Sequence, residues 1–134
     1  MSLIILVCIT LVGVVALILM MQLNNGDSDR KPTIDEIVES SVDVEEITTN
    51  LAGRQFIRIS LKIQTENKKA AAELAKREFQ VKNIVIQELS EMTAKDLEGK
   101  VGKQAFEDAL KSQLNPLMQE GEIEKVYIVS YTIQ

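Results

Sequence analysis

Gln55-Phe56-Ile57-Arg58-Ile59-Ser60-Leu61-Lys62-Ile63-Gln64-Thr65 alternates apolar and polar side chains without a break from Ile57 to Gln64. Successive side chains of a strand point to opposite faces. This period therefore predicts a strand that buries Ile57, Ile59, Leu61 and Ile63 and leaves Arg58, Ser60, Lys62 and Gln64 in water. A sheet wet on one side needs cover on the other only, and nearby helices can supply it.

Working outward, residues 42–49 alternate less cleanly. Val42, Val44 and Glu46 interleave with Asp43, Glu45 and Ile47, which predicts an edge strand to about Thr49, followed by a turn through Gly53. After Asn67 the period becomes helical. Ala71, Leu74 and Ala75 share a face, with Glu73 and Arg77 spaced for an ion pair, and after a break near Gln80 the stripe continues through Val81, Ile84, Val85, Leu89 and Met92. Thr93 and Asp96 have the spacing of a cap, opening a short turn that ends at Gly99. Residues 103–114 set Phe106, Ala109, Leu110 and Leu114 in a stripe onto which Val101 is placed to staple, and Asn115-Pro116 starts a last turn closed by Gly121. Residues 124–134 form a closing strand with Tyr127, Val129, Tyr131 and Ile133 on one face. The order strand, strand, helices, strand defines an α+β domain, a small sheet covered on one face by helices, over residues 41–134.

The other end of the chain is different in kind. All 35 charged side chains fall between Asp27 and Lys125, and residues 3–23 contain 14 Leu, Ile or Val. As a helix that segment reaches roughly 31 Å, about the hydrocarbon thickness, so Leu3, Val12 and Leu23 mark the start, middle and end of a predicted single span over residues 1–23. A cleaved signal peptide needs a basic start and a small-residue cleavage site, and a lipoprotein needs more than seven residues ahead of Cys8. A pilin-like shaft would carry an acid near its start, and none is present. Residues 24–40 form an acidic stalk. Residues 27–50 hold eight acids and two bases, which anionic headgroups repel, and Thr33-Ile34-Asp35-Glu36 after Pro32 has the form of a capping box for a short helix. Arg30 and Lys31 are the only bases near the span, and the positive-inside rule taken alone would keep that side cytoplasmic.

Composition narrows the chemistry. The chain has no His, one Cys and 4% aromatic residues, which leaves no His-based acid/base catalysis, no Cys/His metal site and no stacking platform for nucleic acid. No phosphate-binding glycine loop or nucleophile elbow occurs. The adjacent acids Glu45-Glu46 and Glu107-Asp108 point apart in a strand or helix and read as solvated surface. No catalytic, cofactor-binding or metal residue is assigned, and the chain is not expected to be an enzyme. The wet strand face, Arg58, Lys62 and Gln64, is the candidate contact with a neighbouring subunit or partner.

The ordered set of features resembles the FliL family of flagellar basal body-associated proteins over nearly the whole chain. It comprises the N-terminal span, the acidic stalk, Asn50-Leu51 ahead of Arg54-Gln55-Phe56-Ile57, the long strand, Thr93-Ala94-Lys95-Asp96-Leu97, Gly102, Leu114-Asn115, and the ending from Val126-Tyr127 to Gln134. The ending departs from the aromatic-rich family form, with Ile128 and Tyr131 where Phe is common. Basic residues usual before the span are absent. The resemblance implies a single-pass inner-membrane protein with a cytoplasmic N-terminus and an extracytoplasmic domain similar to the stomatin (SPFH) fold. It also implies a homo-oligomeric ring around the flagellar stator units at the basal body, supporting torque, chemotaxis, swimming and swarming, with no cofactor and no nucleic acid. The alternative on the residues alone is a membrane-tethered extracytoplasmic sensor or ligand-binding module.

Overall fold

The computed structural model describes residues 2–28 and 30–134, with side chains for residues 2–21 and 30–134. The chain forms two units, Met1–Pro32 and Thr33–Gln134.

The first unit is helix α1, Ser2–Ser28. Its stretch Ser2–Met21 is long and apolar enough to cross a membrane. Leu3 and Val12 are exposed along it, as lipid-facing residues would be, while the side chain of Leu23 lies outside those described. The helix runs past the expected end of the span, so the first residues assigned to the stalk are helical.

The second unit orders its elements as helix α2 (Ile34–Glu39), strands β1 (Ser41–Asn50) and β2 (Phe56–Thr65), helices α3 (Lys68–Lys76), α4 (Glu78–Ser90) and α5 (Gly99–Leu114), a 3-10 turn at Asn115–Leu117, and strand β3 (Ile123–Ile133). The sheet is antiparallel in the order β1-β2-β3, so β2 is central. Ile57, Ile59, Leu61 and Ile63 are buried as the alternation requires, each contributing about 1.5–3 kcal/mol by leaving water. They pack with Leu74, Val81, Val85, Leu89, Phe106, Leu110 and Leu114 from the three helices that cover this face.

Both edge strands contain bulges, and the bulges explain where period-two reading fails. On β1, Val44 pairs with Leu61 but Ile47 pairs with Ile59, so three steps on β1 match two on β2. The extra residue turns Glu45 and Glu46 both outward and lets Val44 and Ile47 share the core face. On β3, Ile128 pairs with Leu61 and Ser130 with Ser60, leaving Val129 as the inserted residue. The expected face of Tyr127, Val129, Tyr131 and Ile133 is therefore split: Tyr131 and Ile133 pair with the core positions Ile59 and Ile57, whereas Tyr127 pairs with Lys62 on the open face. A second slip at Glu124 brings Ile123 back to the core.

The helices follow their stripes with shifted ends, except that in α3 Ala75 is exposed and Ala70 is buried with Ala71 and Leu74. The break expected near Gln80 falls at Arg77, and α5 begins at Gly99 instead of Lys103. Asn67 caps α3 by accepting from the Ala70 N–H at 2.9 Å, and Thr33 caps α2 by accepting from the Glu36 N–H at 3.2 Å. Val101 is 81% exposed and Phe106 fully buried, so the expected staple does not form. The folded unit starts at Thr33, ahead of residue 41, because the Thr65 N–H and hydroxyl both donate to the Ser40 carbonyl, tying the end of α2 to β2.

Candidate functional site

The helix-free face of the sheet is built from the polar positions of β2. Arg58, Lys62 and Gln64 all lie on it, and cross-strand pairing settles what each meets. Lys62 Nζ is 3.3 Å from Asp43 Oδ1, its register partner on β1. Gln64 Oε1 accepts from the Tyr127 hydroxyl at 3.1 Å, and the Lys125 ammonium stands 5.2 Å from the Tyr127 ring. Arg58 sits between Thr48 and Thr132 and is exposed, without a charged partner among the described residues. The three candidate residues are thus on one face, but two of them bind their own chain and only Arg58 keeps its charge uncommitted. Tyr127 belongs to this face and was missed in the sequence, because nothing local announces the bulge at Val129.

A second polar feature lies where α5 meets β3. Glu107, read from the sequence as solvated, is half-buried, and its carboxylate accepts from the Ile128 N–H at 3.1 Å. It satisfies a backbone donor on the open edge of the sheet, which otherwise has only water. Lys103 donates to the carbonyls of Leu97 and Gly99 at 3.1 and 3.3 Å, and its ammonium is 4.8 Å from the Tyr131 ring.

A third is the clamp made by Glu73. The expected pair with Arg77 exists, at 2.9 Å, but the same carboxylate also accepts from the N–H groups of Gln119 and Glu120 at 2.8 and 2.7 Å. The clamp closes on the turn ended by Gly121, whose φ of +147° and whose packing on Ala70 and Asn67 both call for glycine. Burial pushes the Glu73 carboxyl up, and the two N–H groups with Arg77 pull it further down, so it titrates below its ordinary value. Asp96 is also lowered, by the Thr93 N–H and then the Thr93 hydroxyl. Because the folded protein holds both carboxyls more acidic than the unfolded chain does, their stabilisation is complete above the ordinary carboxylate range and lost as pH falls through the lowered values. The urea midpoint is expected to drop from about pH 5 downward. Glu73→Gln is expected to lower it at neutral pH and to flatten that acid limb, and an unchanged limb would mean that the clamp does not form.

The concavity beside this clamp, of about 590 Å³, is lined by Lys69, Lys76, Arg77 and Phe79 among others, but Glu73 and Arg77 already satisfy one another there. Among the described residues no cluster of His, Cys, Asp or Glu is arranged to hold a metal ion.

The chain thus carries an α+β domain, a three-stranded antiparallel sheet with helices on one face, after a helix long and apolar enough to cross a membrane. The family of the flagellar basal body-associated protein FliL matches residues 41–134. Over 107 residues the chain is 50% identical to the flagellar protein FliL of Bacillus subtilis (strain 168), covering 80% of this chain and 76% of that one. It is 23% identical over 79 residues to the flagellar protein FliL of Aquifex aeolicus (strain VF5), covering 59% of this chain and 49% of that one. The chain belongs to the FliL family of flagellar basal body-associated proteins.

Proposed function

We propose that this protein is a non-enzymatic subunit of the flagellar basal body that assembles into a ring around stator units and supports motor torque, rotation, swimming and swarming. The observation that carries the reading is the 50% identity to a flagellar FliL protein across 80% of the chain. Helix α1 anchors the subunit in the cell membrane with its N-terminus cytoplasmic, and the α+β domain, taken as a variant of the stomatin-like arrangement, stands outside. The open sheet face is the contact offered to a basal-body partner, with Arg58 the side chain left to engage an acid there and Lys62 and Gln64 holding the face rigid through Asp43 and Tyr127. A tethered sensor would require convergent polar groups free to take a ligand, and in the concavity beside Glu73 the carboxylate is already held by Arg77 and by the N–H groups of Gln119 and Glu120.

Deleting the gene is expected to reduce swimming and swarming, most under high load, while filaments still grow. The full-length protein is expected to co-purify with stator units, and Asp43→Cys to react with a membrane-impermeant thiol reagent before lysis. Unchanged motility at low and high load together with no co-purification would overturn the reading.

A further inference from the structure

Each open edge of the sheet carries a bulge, and the two stand at the same height. The β1 bulge lies between Val44 and Ile47, opposite the β2 step from Leu61 to Ile59. The β3 bulge, at Val129, lies opposite the step from Ser60 to Leu61. Both therefore flank Ser60, one on each side of the central strand.

Their surroundings are unlike. Beside the β1 bulge is a groove of about 180 Å³ with Val42, Leu74 and Val81 as apolar lining and Asp43, Glu45 and Glu78 as acids. Asp43 and Glu78 are paired with Lys62 and Lys82 at 3.3 and 3.1 Å, while Glu45 is exposed with no ion pair among the described residues. At the β3 bulge, Val129 is 64% exposed and lies with Lys100, Lys103 and Glu107 around it. Glu107 is committed to the Ile128 N–H and Lys103 to two carbonyls, so neither lysine is neutralised by an ion pair among the described residues.

We infer that the β3 edge of one copy seats against the β1 edge of the next, with Val129 entering the groove lined by Val42, Leu74 and Val81, and Lys100 facing Glu45. This rests on the ring reading above and assigns it a surface. A cavity of roughly 150 Å³ accepts a molecule the size of benzene, so the groove has room for the valine isopropyl group. Because the bulges are level, one copy meets the next without sliding along the strands. The two patches differ, so the contact repeats from subunit to subunit and closes as a ring or runs on as a chain, which a symmetric dimer contact does not do. The contact is made by side chains, since bulges interrupt both edges and Glu107 already holds the Ile128 N–H.

The test uses the full-length protein in its membrane with Cys8→Ser. Glu45→Cys together with Val129→Cys is expected to give an oxidative crosslinked ladder beyond the dimer, and either cysteine alone is expected to give none. Glu45→Lys and Lys100→Glu are each expected to lower the oligomer fraction captured by a lysine-independent crosslinker about fivefold, the scale of an exposed ion pair, and the double swap to restore it. Both positions are exposed, so urea melts of the variants are expected to match the parent. A dimer from Val129→Cys alone would show a symmetric contact and overturn the inference. Oligomers indifferent to both swaps and to the cysteine pair would overturn it while leaving the ring reading intact. No oligomer under any crosslinker would overturn both.

Discussion

Ile59→Asp is expected to leave the domain unfolded at neutral pH. Ile59 is 1% exposed at the middle of the central strand, paired with Ile47 on one side and Tyr131 on the other, with helices beneath. A carboxylate there loses its water and finds no cation, and the packing of the lost side chain adds to the cost, together several kcal/mol. A domain of this size has about 5–15 kcal/mol in total. Lys62→Asp on the opposite face removes the pair with Asp43 and sets two acids directly across the strands, so it is expected to cost about 1 kcal/mol or less. Urea melts of the two variants measure the difference directly, and equal losses would mean that the buried and open faces are misassigned.

Gly102→Ala is expected to destabilise the domain, because among the described glycines it is the one whose added methyl would run into backbone. Gly102 lies in the first turns of α5 with an ordinary helical φ, so its conformational freedom is not what the site uses. A Cβ there would overlap the carbonyl oxygen of Asp96 and press on the backbone of Leu97. In an open helix the same substitution would be favourable by about 1 kcal/mol, so the sign of the effect is itself diagnostic. Displacing the turn would strain the paired bonds between Thr93 and Asp96, each backbone N–H to the other's side chain at 2.9 and 3.2 Å, and unseat the buried Leu97. The expected loss is about 1–3 kcal/mol by urea midpoint. Gly53→Ala provides the contrast, since its φ is +99° with nothing near the added methyl, and its cost reports backbone strain alone. A Gly102→Ala protein as stable as the parent would show that α5 does not approach this turn so closely.

The central strand was legible because its alternation is unbroken, and a one-residue slip would have exposed every isoleucine. The edge strands were legible as strands but not in their faces. Ile47 and Tyr127 take the faces opposite to those that strict alternation from Val44 or Tyr131 assigns, and the cause is an extra residue whose position only pairing with β2 fixes. The helical stripes located α3, α4 and α5, since amphipathic spacing records which side meets a sheet. Their ends fall at Arg77, whose side chain holds Glu73 on one side of the break and Gln80 on the other, and at Gly99, whose φ of +70° suits glycine. Glu73 and Glu107 show the limit most plainly. Their backbone partners, Gln119, Glu120 and Ile128, come from other parts of the fold, and no local spacing encodes a bond between a carboxylate and a turn some 46 residues away. Arg58, Lys62 and Gln64 were correctly set on one face, but the commitment of Lys62 to Asp43 and of Gln64 to Tyr127 required the register.

The position of β3 in the chain has a consequence for how the protein is made. β1 and β2 form a hairpin joined by a short turn and close quickly, whereas β3 begins at Ile123, far beyond the end of β2 at Thr65. Such distant pairing slows folding because the intervening chain must be gathered before the contact is gained. As the chain emerges N-terminus first, the hairpin and its row of isoleucines are present before the strand that completes the sheet, and α5 can cap the Ile128 N–H only after β3 arrives. The nascent domain therefore passes through an interval in which a half-built, sticky sheet must be kept from its neighbours, and a chain stopped short of Ile123 would remain in that condition.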